Sequence, residues 1–258
     1  MLKKGLFITG TDTSVGKTQV TAGLAAVLQQ RLNRIVTTKS EDDTPLGFAQ
    51  HQQVRLWKPV QSGTAVGSLD ADSYRLWKGS GLLGTEADIV THTFAEPLAP
   101  WIAAQYANDP IDYNELVAEG QRRIAQSGIL LIEGAGGLFV PLTDSKLIVD
   151  LACDLKLPIL LIARPSLGTV NHTLLTLSYA AQAGLDVVGV IFNGCLAENE
   201  VQINDNAMMI EQFSGVPVIG KLPWLSHDNW DEQGWLDWRR TWCELIERHV
   251  QLDGLFNT

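Results

Sequence analysis

The run Gly10-Thr-Asp-Thr-Ser-Val-Gly-Lys-Thr18, directly after the apolar stretch Leu6-Phe7-Ile8, limits what this chain can fold into more than any other segment. A short strand that breaks into a Gly-bounded loop and re-enters as a helix at Lys17-Thr18 is the geometry that holds nucleotide phosphates. Backbone N–H groups converge on phosphate oxygens, the helix adds its positive dipole end, Lys supplies a cation, and Thr offers a hydroxyl to Mg²⁺. A lysine facing a positive helix end is unfavourable unless an anion lies between them, so a plain connector is a poor reading. The spacing is unusual. The common pattern places four residues between its first Gly and Gly-Lys-Ser/Thr; here five separate Gly10 from Gly16, and Thr11 stands where the first Gly belongs.

The 258 residues suffice for one large α/β domain or two small ones. A formal net charge of −10 argues against nucleic acid or an anionic membrane surface as partner. The longest apolar runs, around Leu157–Ala163 and Val187–Phe192, are too short to span a bilayer. Met1-Leu-Lys-Lys opens like a secretory leader, but Thr9-Gly-Thr-Asp12 interrupts it too soon, so a cytoplasmic location is expected. Cys153, Cys195 and Cys243 lie far apart without metal-ligand spacing, which indicates reduced thiols.

Short apolar runs alternate with helical patterns. Strands are expected at Gly5–Thr9, Val54–Val60, Ile129–Glu133, Pro158–Ala163, Val187–Phe192 and Pro217–Ile219, with helices at Lys17–Leu32, Ile111–Gln126, Val170–Ala183 and Glu200–Phe213. This alternation predicts a doubly wound, mainly parallel sheet with helices on both faces, whose ligands bind at the carboxyl ends of the strands. Two segments fit less well. Thr37–Gln53 is polar and aperiodic and reads as an insertion. In Trp230–Leu252, the residues Trp235, Trp238, Trp242, Leu245, Ile246, His249 and Leu252 recur at helical spacing. The expectation is one domain over residues 1–225 and a Trp-rich helical tail over 226–258, packed on that domain or on a second subunit.

Several polar residues sit where strands should end. Glu133 follows Leu130-Leu-Ile, and a carboxylate there is costly unless paired or metal-bound. Asp72 lies near the start of a short helix, either as an N-cap or, with Glu133 and Thr18, as part of a sparse oxygen set suited to Mg²⁺. Lys58 precedes Pro59 and is held extended, its ammonium either solvated or aimed into the crevice toward a developing anion, with Ser62 able to donate to the same ligand.

Gly10–Thr18, Lys58-Pro-Val-Gln-Ser-Gly63, Thr93-Phe-Ala-Glu-Pro97, Glu133-Gly-Ala-Gly-Gly137, Leu167-Gly-Thr-Val-Asn-His172 and Leu222-Pro-Trp-Leu225 occur together and in order. This set resembles the dethiobiotin synthetase family of the P-loop NTPase superfamily, from about Gly5 to Leu225 and including the irregular loop. The resemblance implies a homodimeric ligase of biotin biosynthesis that uses Mg²⁺ and one ATP per site. Its substrates would be diaminopelargonate and CO₂ or bicarbonate. One amine forms a carbamate, the γ-phosphoryl of ATP activates it as a mixed anhydride, and the second amine closes the ring to dethiobiotin, ADP and phosphate. Residue by residue, it implies catalytic roles for Lys58 and Lys17, and Mg²⁺ ligation by Thr18, Asp72 (rather than Asp70) and Glu133. ATP would be bound by Asp12, Thr13, Ser14, Val15, Gly16, Lys17, Thr18 and Gln19, by Asp72, by Glu133, Gly134, Ala135 and Gly136, by Asn193 and Gly194, and by Pro223, Trp224 and Leu225. Substrate contacts would come from Thr13, Lys58, Ser62, Gly168 and Asn171, with the substrate carboxylate at a helix start, partly from a neighbouring subunit.

The main rival is a nucleotide-switch ATPase of the partitioning class. Such loops carry an extra early lysine where this chain has Thr11-Asp12-Thr13. A cobyrinate-type amide synthase would need a glutamine-hydrolysing domain for which this length leaves no room. An inactive scaffold fits poorly with Lys17, Lys58, Asp72 and Glu133 all being present.

Overall fold

The computed structural model describes residues 5–39, 53–225, 231–253 and 255, with 35–39 described by backbone alone. Seven strands form one sheet, β1 (Gly5–Gly10), β2 (Val54–Ser62), β3 (Val90–Phe94), β4 (Ile129–Glu133), β5 (Ile159–Ala163), β6 (Val187–Cys195) and β7 (Val218–Pro223). Their order is β3-β2-β4-β1-β5-β6-β7, and every pair is parallel. The helices are α1 (Lys17–Lys39), α2 (Asp72–Ser80), α3 (Pro100–Ala107), α4 (Tyr113–Ala125), α5 (Ile148–Leu155), α6 (Thr169–Gln182), α7 (Glu200–Ser214) and α8 (Glu232–His249).

The period-two alternation of a strand sorts the core into two layers. Leu6, Ile8, Leu131, Leu160 and Ile162 pack under α1, α2 and α8. Phe7, Leu130, Ile132 and Ile159 face the other way, toward α3, α4 and α5, and Leu161 and Phe192 pack with α6 and α7. The doubly wound parallel sheet expected from the alternation is therefore present. β3, α3 and α5 were not anticipated. Each spans at most eight residues, too short for a hydrophobic period to stand out.

Two boundaries that bear on the site move. Helix α1 extends to Lys39, so the segment expected as an insertion from Thr37 begins inside a helix; its residues 40–52 lie outside the described set, as do 226–230 of the tail. β2 continues to Ser62, which puts Lys58 inside the strand rather than at its close. The strand changes partner there. Val54–Trp57 pair with β4, whereas Lys58–Ser62 pair with β3. The Lys58 N–H donates to Ile89 O on the β3 side at 2.8 Å. The next backbone nitrogen facing β4 belongs to Pro59, which has no hydrogen to give. β2 and β4 therefore part just where Lys58 and Glu133 stand.

The tail stripe is a helix. Asp231 caps α8 by accepting from the Gly234 N–H at 2.7 Å. Trp235, Trp238, Trp242, Cys243 and Ile246 are buried against α1, α2 and β7, while His249 is exposed. The indole of Trp242 lies so close to Gly23 of α1 that no Cβ fits at that position.

Candidate active site

Strand parity assembles the site. Lys58 lies two residues beyond Leu56, and Glu133 two beyond Leu131, so both project toward α1. The register pairs Ile8 with Glu133, which sets that carboxylate beside the loop between β1 and α1. Gly16 takes φ 83° in this loop, a left-handed conformation that glycine adopts without a Cβ clash. Thr18, in the first turn of α1, then meets both acidic residues. Its hydroxyl lies 2.9 Å from Asp72 Oδ1 and 2.9 Å from Glu133 Oε1.

Lys58 joins them. Its Nζ is 2.6 Å from Glu133 Oε1, 2.7 Å from Asp72 Oδ2 and 3.3 Å from Gly134 O. Lys58 is 1% exposed and Glu133 0%, so this is a buried cation between two anions. Burial alone would lower the Lys58 pKa, but the two carboxylates outweigh it and hold it above that of an ordinary lysine. Burial, opposed by Lys58, leaves the Glu133 pKa raised. Asp72 is lowered, because Lys58 and Thr18 overcome its desolvation. Lys17 behaves differently. Its Nζ folds back on the carbonyls of Asp12 (3.0 Å) and Thr13 (3.2 Å). Burial and then the Lys58 charge bring its pKa down to about 8.

Asp72 is not the N-cap of its helix, and it rather than Asp70 faces Lys58 and Thr18. The N-cap of α2 is Ala71, so Asp72 occupies the first helical position with its carboxylate on Lys58 and Thr18. Asp70 instead pairs with Arg75 at 2.6 Å. Ser62 differs from expectation: its hydroxyl donates to Leu98 O at 2.7 Å, so that proton is already committed.

A cleft of about 460 Å³ gathers Thr13, Ser14, Gly16, Lys17, Thr18, Gln19, Lys58, Ser62, Asp72, Ala135, Gly136 and Trp224. An adjoining cavity of about 230 Å³ shares Ser14 and Trp224 and adds Asn193 and Gly194. Asn193 Nδ2 donates to Val15 O at 3.1 Å, while its Oδ1 is buried without a hydrogen-bond partner. Gln19 Nε2 donates to Leu225 O at 3.1 Å, fastening the Pro223–Leu225 segment to α1. Gly168 and Asn171 do not line either cavity. They sit at the start of α6 on an exposed surface beside Leu167.

The donor set fits a hard divalent cation. Thr18 Oγ1 and the carboxylates of Asp72 and Glu133 converge, and Glu133 Oε2 is buried with no hydrogen-bond partner. Among the described residues, no group of three or more His, Cys, Asp or Glu gathers. Such a sparse site matches a cation that keeps water and phosphate oxygens in its shell.

Four further residues contribute. Arg164, directly after β5, forms an ion pair with Asp12 across the loop. Its place at the carboxyl end of a strand was the available signal. Trp235 and Trp238 of α8 line the main cleft; their spacing marked a helix but not what it covered. Gln61 also borders the cleft.

A parallel sheet whose strand order reverses about β1, a strand–loop–helix with Gly16-Lys17-Thr18, and acidic residues facing that helix define a P-loop NTPase-type protein. Among solved structures, the septum site-determining protein MinD of Pyrococcus horikoshii OT3 shares the fold, with TM-score 0.52, 17% identity and 97% of each chain covered. A ParA family ATPase from Chlorobium tepidum TLS gives TM-score 0.50 at 12% identity, over 95% of this chain and 91% of its own. At these identities the likeness concerns fold alone. An AAA domain family model matches residues 4–231. The ATP-dependent dethiobiotin synthetases BioD of Bacillus thuringiensis (strain Al Hakam) and Bacillus cereus (strain 03BB102) are each 40% identical over 219 residues, covering 85% of this chain and 83% of theirs. The chain belongs to the ATP-dependent dethiobiotin synthetase family. Among its described residues, no helix is long and apolar enough to cross a membrane.

Proposed function

We propose that this chain is an ATP-dependent cyclo-ligase that joins diaminopelargonate and CO₂ into dethiobiotin, with ADP and phosphate as the other products. The observation that carries the mechanism is the Lys58 ammonium, buried and held charged at the floor of the cleft that also contains Lys17 and Thr18. A carbamate and the γ-phosphate of ATP are both anionic and repel each other on approach, so the reaction needs fixed positive charge where they meet. Lys58 supplies it. As a carbamate oxygen attacks the γ-phosphorus and ADP leaves, Lys58 offsets charge on the transferred oxygens. The second amine then attacks the carbamoyl carbon and phosphate departs. Lys17 turns from the Asp12 and Thr13 carbonyls to the phosphates. Thr18, Asp72 and Glu133 would hold Mg²⁺, which supplies further positive charge against the phosphate oxygens. Asp12, paired with Arg164, stands where switch ATPases carry a lysine, which favours ligase chemistry over a switch.

The 14-residue α6 opens at half-buried Gly168, beside Leu167, which is 92% exposed. A helix start of this kind suits the substrate carboxylate. Because it lies outside the Lys58 cleft of its own chain, the reading includes a homodimer in which Asn171 serves across the interface. Phosphate release from ATP is expected to require both bicarbonate and the diamine. A steady ATPase rate unaffected by the diamine would overturn the ligase reading.

The unpaired Asn193 Oδ1 is an acceptor that suits the adenine amino group and faces the guanine carbonyl unfavourably. Asn193→Ala is expected to narrow the preference for ATP over GTP by about tenfold to a hundredfold in kcat/KM, as judged from loss of one such discrimination. An unchanged ratio would remove Asn193 from base recognition.

A further inference from the structure

Asp72 occupies the first position of α2, and its cap residue, Ala71, has no side chain able to satisfy the helix-start N–H groups. Another element fills that role. Gln61 Oε1, on β2, accepts from the Ser73 N–H at 3.0 Å. The amide is fixed in turn by β3, where Gln61 Nε2 donates to Thr93 Oγ1 at 3.3 Å. A second tether holds the same turn. Ser73 Oγ donates to Glu86 Oε1 at 2.6 Å, and Glu86 Oε2 accepts from the Gly67 N–H at 2.8 Å, in the loop that leads into α2. Gln61, Ser73 and Glu86 are all buried.

Asp72 needs such support. Its side chain is 42% exposed, so packing does not fix it, yet it must meet Lys58 at 2.7 Å and Thr18 at 2.9 Å. We propose that Gln61 and Glu86 are positioning residues that lock the first turn of α2 and thereby set the Asp72 carboxylate against Thr18 and Lys58. Gln61 borders the cleft, and its amide is turned onto Ser73 of α2 and Thr93 of β3, which ties it to the site through α2. Glu86 ties the turn to the loop behind it. The inference rests on the reading of Asp72 as a cation ligand, and extends it to the residues that make that ligand precise enough to work.

The test uses the full chain and ADP as probe, with affinity measured by calorimetry in chelator and across a magnesium series. Gln61→Met keeps length and apolar volume but removes the acceptor for the Ser73 N–H. ADP affinity in chelator is expected to be unchanged, while the magnesium concentration giving half the metal-dependent gain rises about tenfold, the usual scale for lost support of a ligand. Thr93→Val, which frees the Gln61 amide without touching α2, is expected to shift the magnesium midpoint the same way by less. It carries the comparison if Gln61→Met fails to unfold cooperatively. A magnesium midpoint equal to the parent's in both variants overturns the positioning role. Equal loss with and without magnesium also overturns it, since that marks a general structural defect. If the parent itself shows no magnesium-dependent gain, the cation reading of Asp72 fails first, and this inference with it.

Discussion

Lys58→Ala is expected to lower dethiobiotin formation by about 10²–10³-fold, the scale for removing one preorganised group that stabilises transition-state charge. It is also expected to destabilise the fold, and the structure explains why the two effects come together. Lys58 is the cation between Asp72 and Glu133. Asp72 is partly exposed and can turn to water. Glu133 is fully buried, and its Oε2 already lacks a hydrogen-bond partner. Breaking a buried pair by deleting one member costs about 3–5 kcal/mol, because the other charge remains uncompensated.

The pH dependence separates this account from a simple loss of packing. Burial raises the Glu133 pKa and Lys58 opposes it, so deleting Lys58 raises it further. Between the unfolded and folded pKa values, the native state then binds more protons than the unfolded state, and stability falls as pH rises. The variant should be closest to the parent in mild acid and lose stability toward neutral pH. Urea unfolding at several pH values measures this. Lys58→Met combined with Glu133→Gln removes the orphaned charge and is expected to recover much of the stability but none of the turnover. Full turnover by Lys58→Ala would end the catalytic assignment; a pH-independent loss of stability would end the account of Glu133.

The sequence carried the outline of this triad but not its wiring. Lys17 and Thr18 were legible because a strand, a glycine and Lys-Thr at a helix start form a local signal with one geometric solution. Glu133 was legible as an acidic residue ending an apolar run. What could not be read was that Lys58 pairs with both Asp72 and Glu133. That depends on β2 leaving β4 at Pro59 and on α2 being set down over the gap, both long-range outcomes of sheet order. Arg164 escaped notice for the same reason, since its partner Asp12 lies 152 residues away. β3 was hidden because its alternation is weak, with His92 only partly buried and Thr91 exposed. The tail shows the opposite case. Its helical spacing was plain, but spacing does not tell what a helix covers.

Helix α8 covers the two helices that carry the site, and Trp242→Ala is expected to show how much depends on it. Trp242 is fully buried, stacks on Trp238 with ring centroids 5.8 Å apart, and donates Nε1–H to Gln19 O at 2.6 Å, one residue beyond Thr18. From the preceding turn, Arg239 donates to Lys78 O and Gly79 O at the far end of α2. One face of α8 thus grips the start of α1 and the end of α2, the helices that supply Thr18 and Asp72. Truncating a buried tryptophan to alanine costs about 3–5 kcal/mol, and more where neighbours cannot close the cavity. Collapse is hindered here because Gly23 and Gly79 already let the helices approach closely. Trp242→Phe retains most of the packing and removes the tie to Gln19, so its cost should be near 1 kcal/mol, the net worth of one hydrogen bond. If α8 sets the α1–α2 geometry, Trp242→Phe should also weaken ADP binding at temperatures well below its unfolding midpoint. Denaturant unfolding with ADP titration measures both. A Trp242→Ala variant as stable as the parent would show that α8 merely rests on the domain, whereas the tether and the close glycine contacts make it part of the core that shapes the nucleotide site.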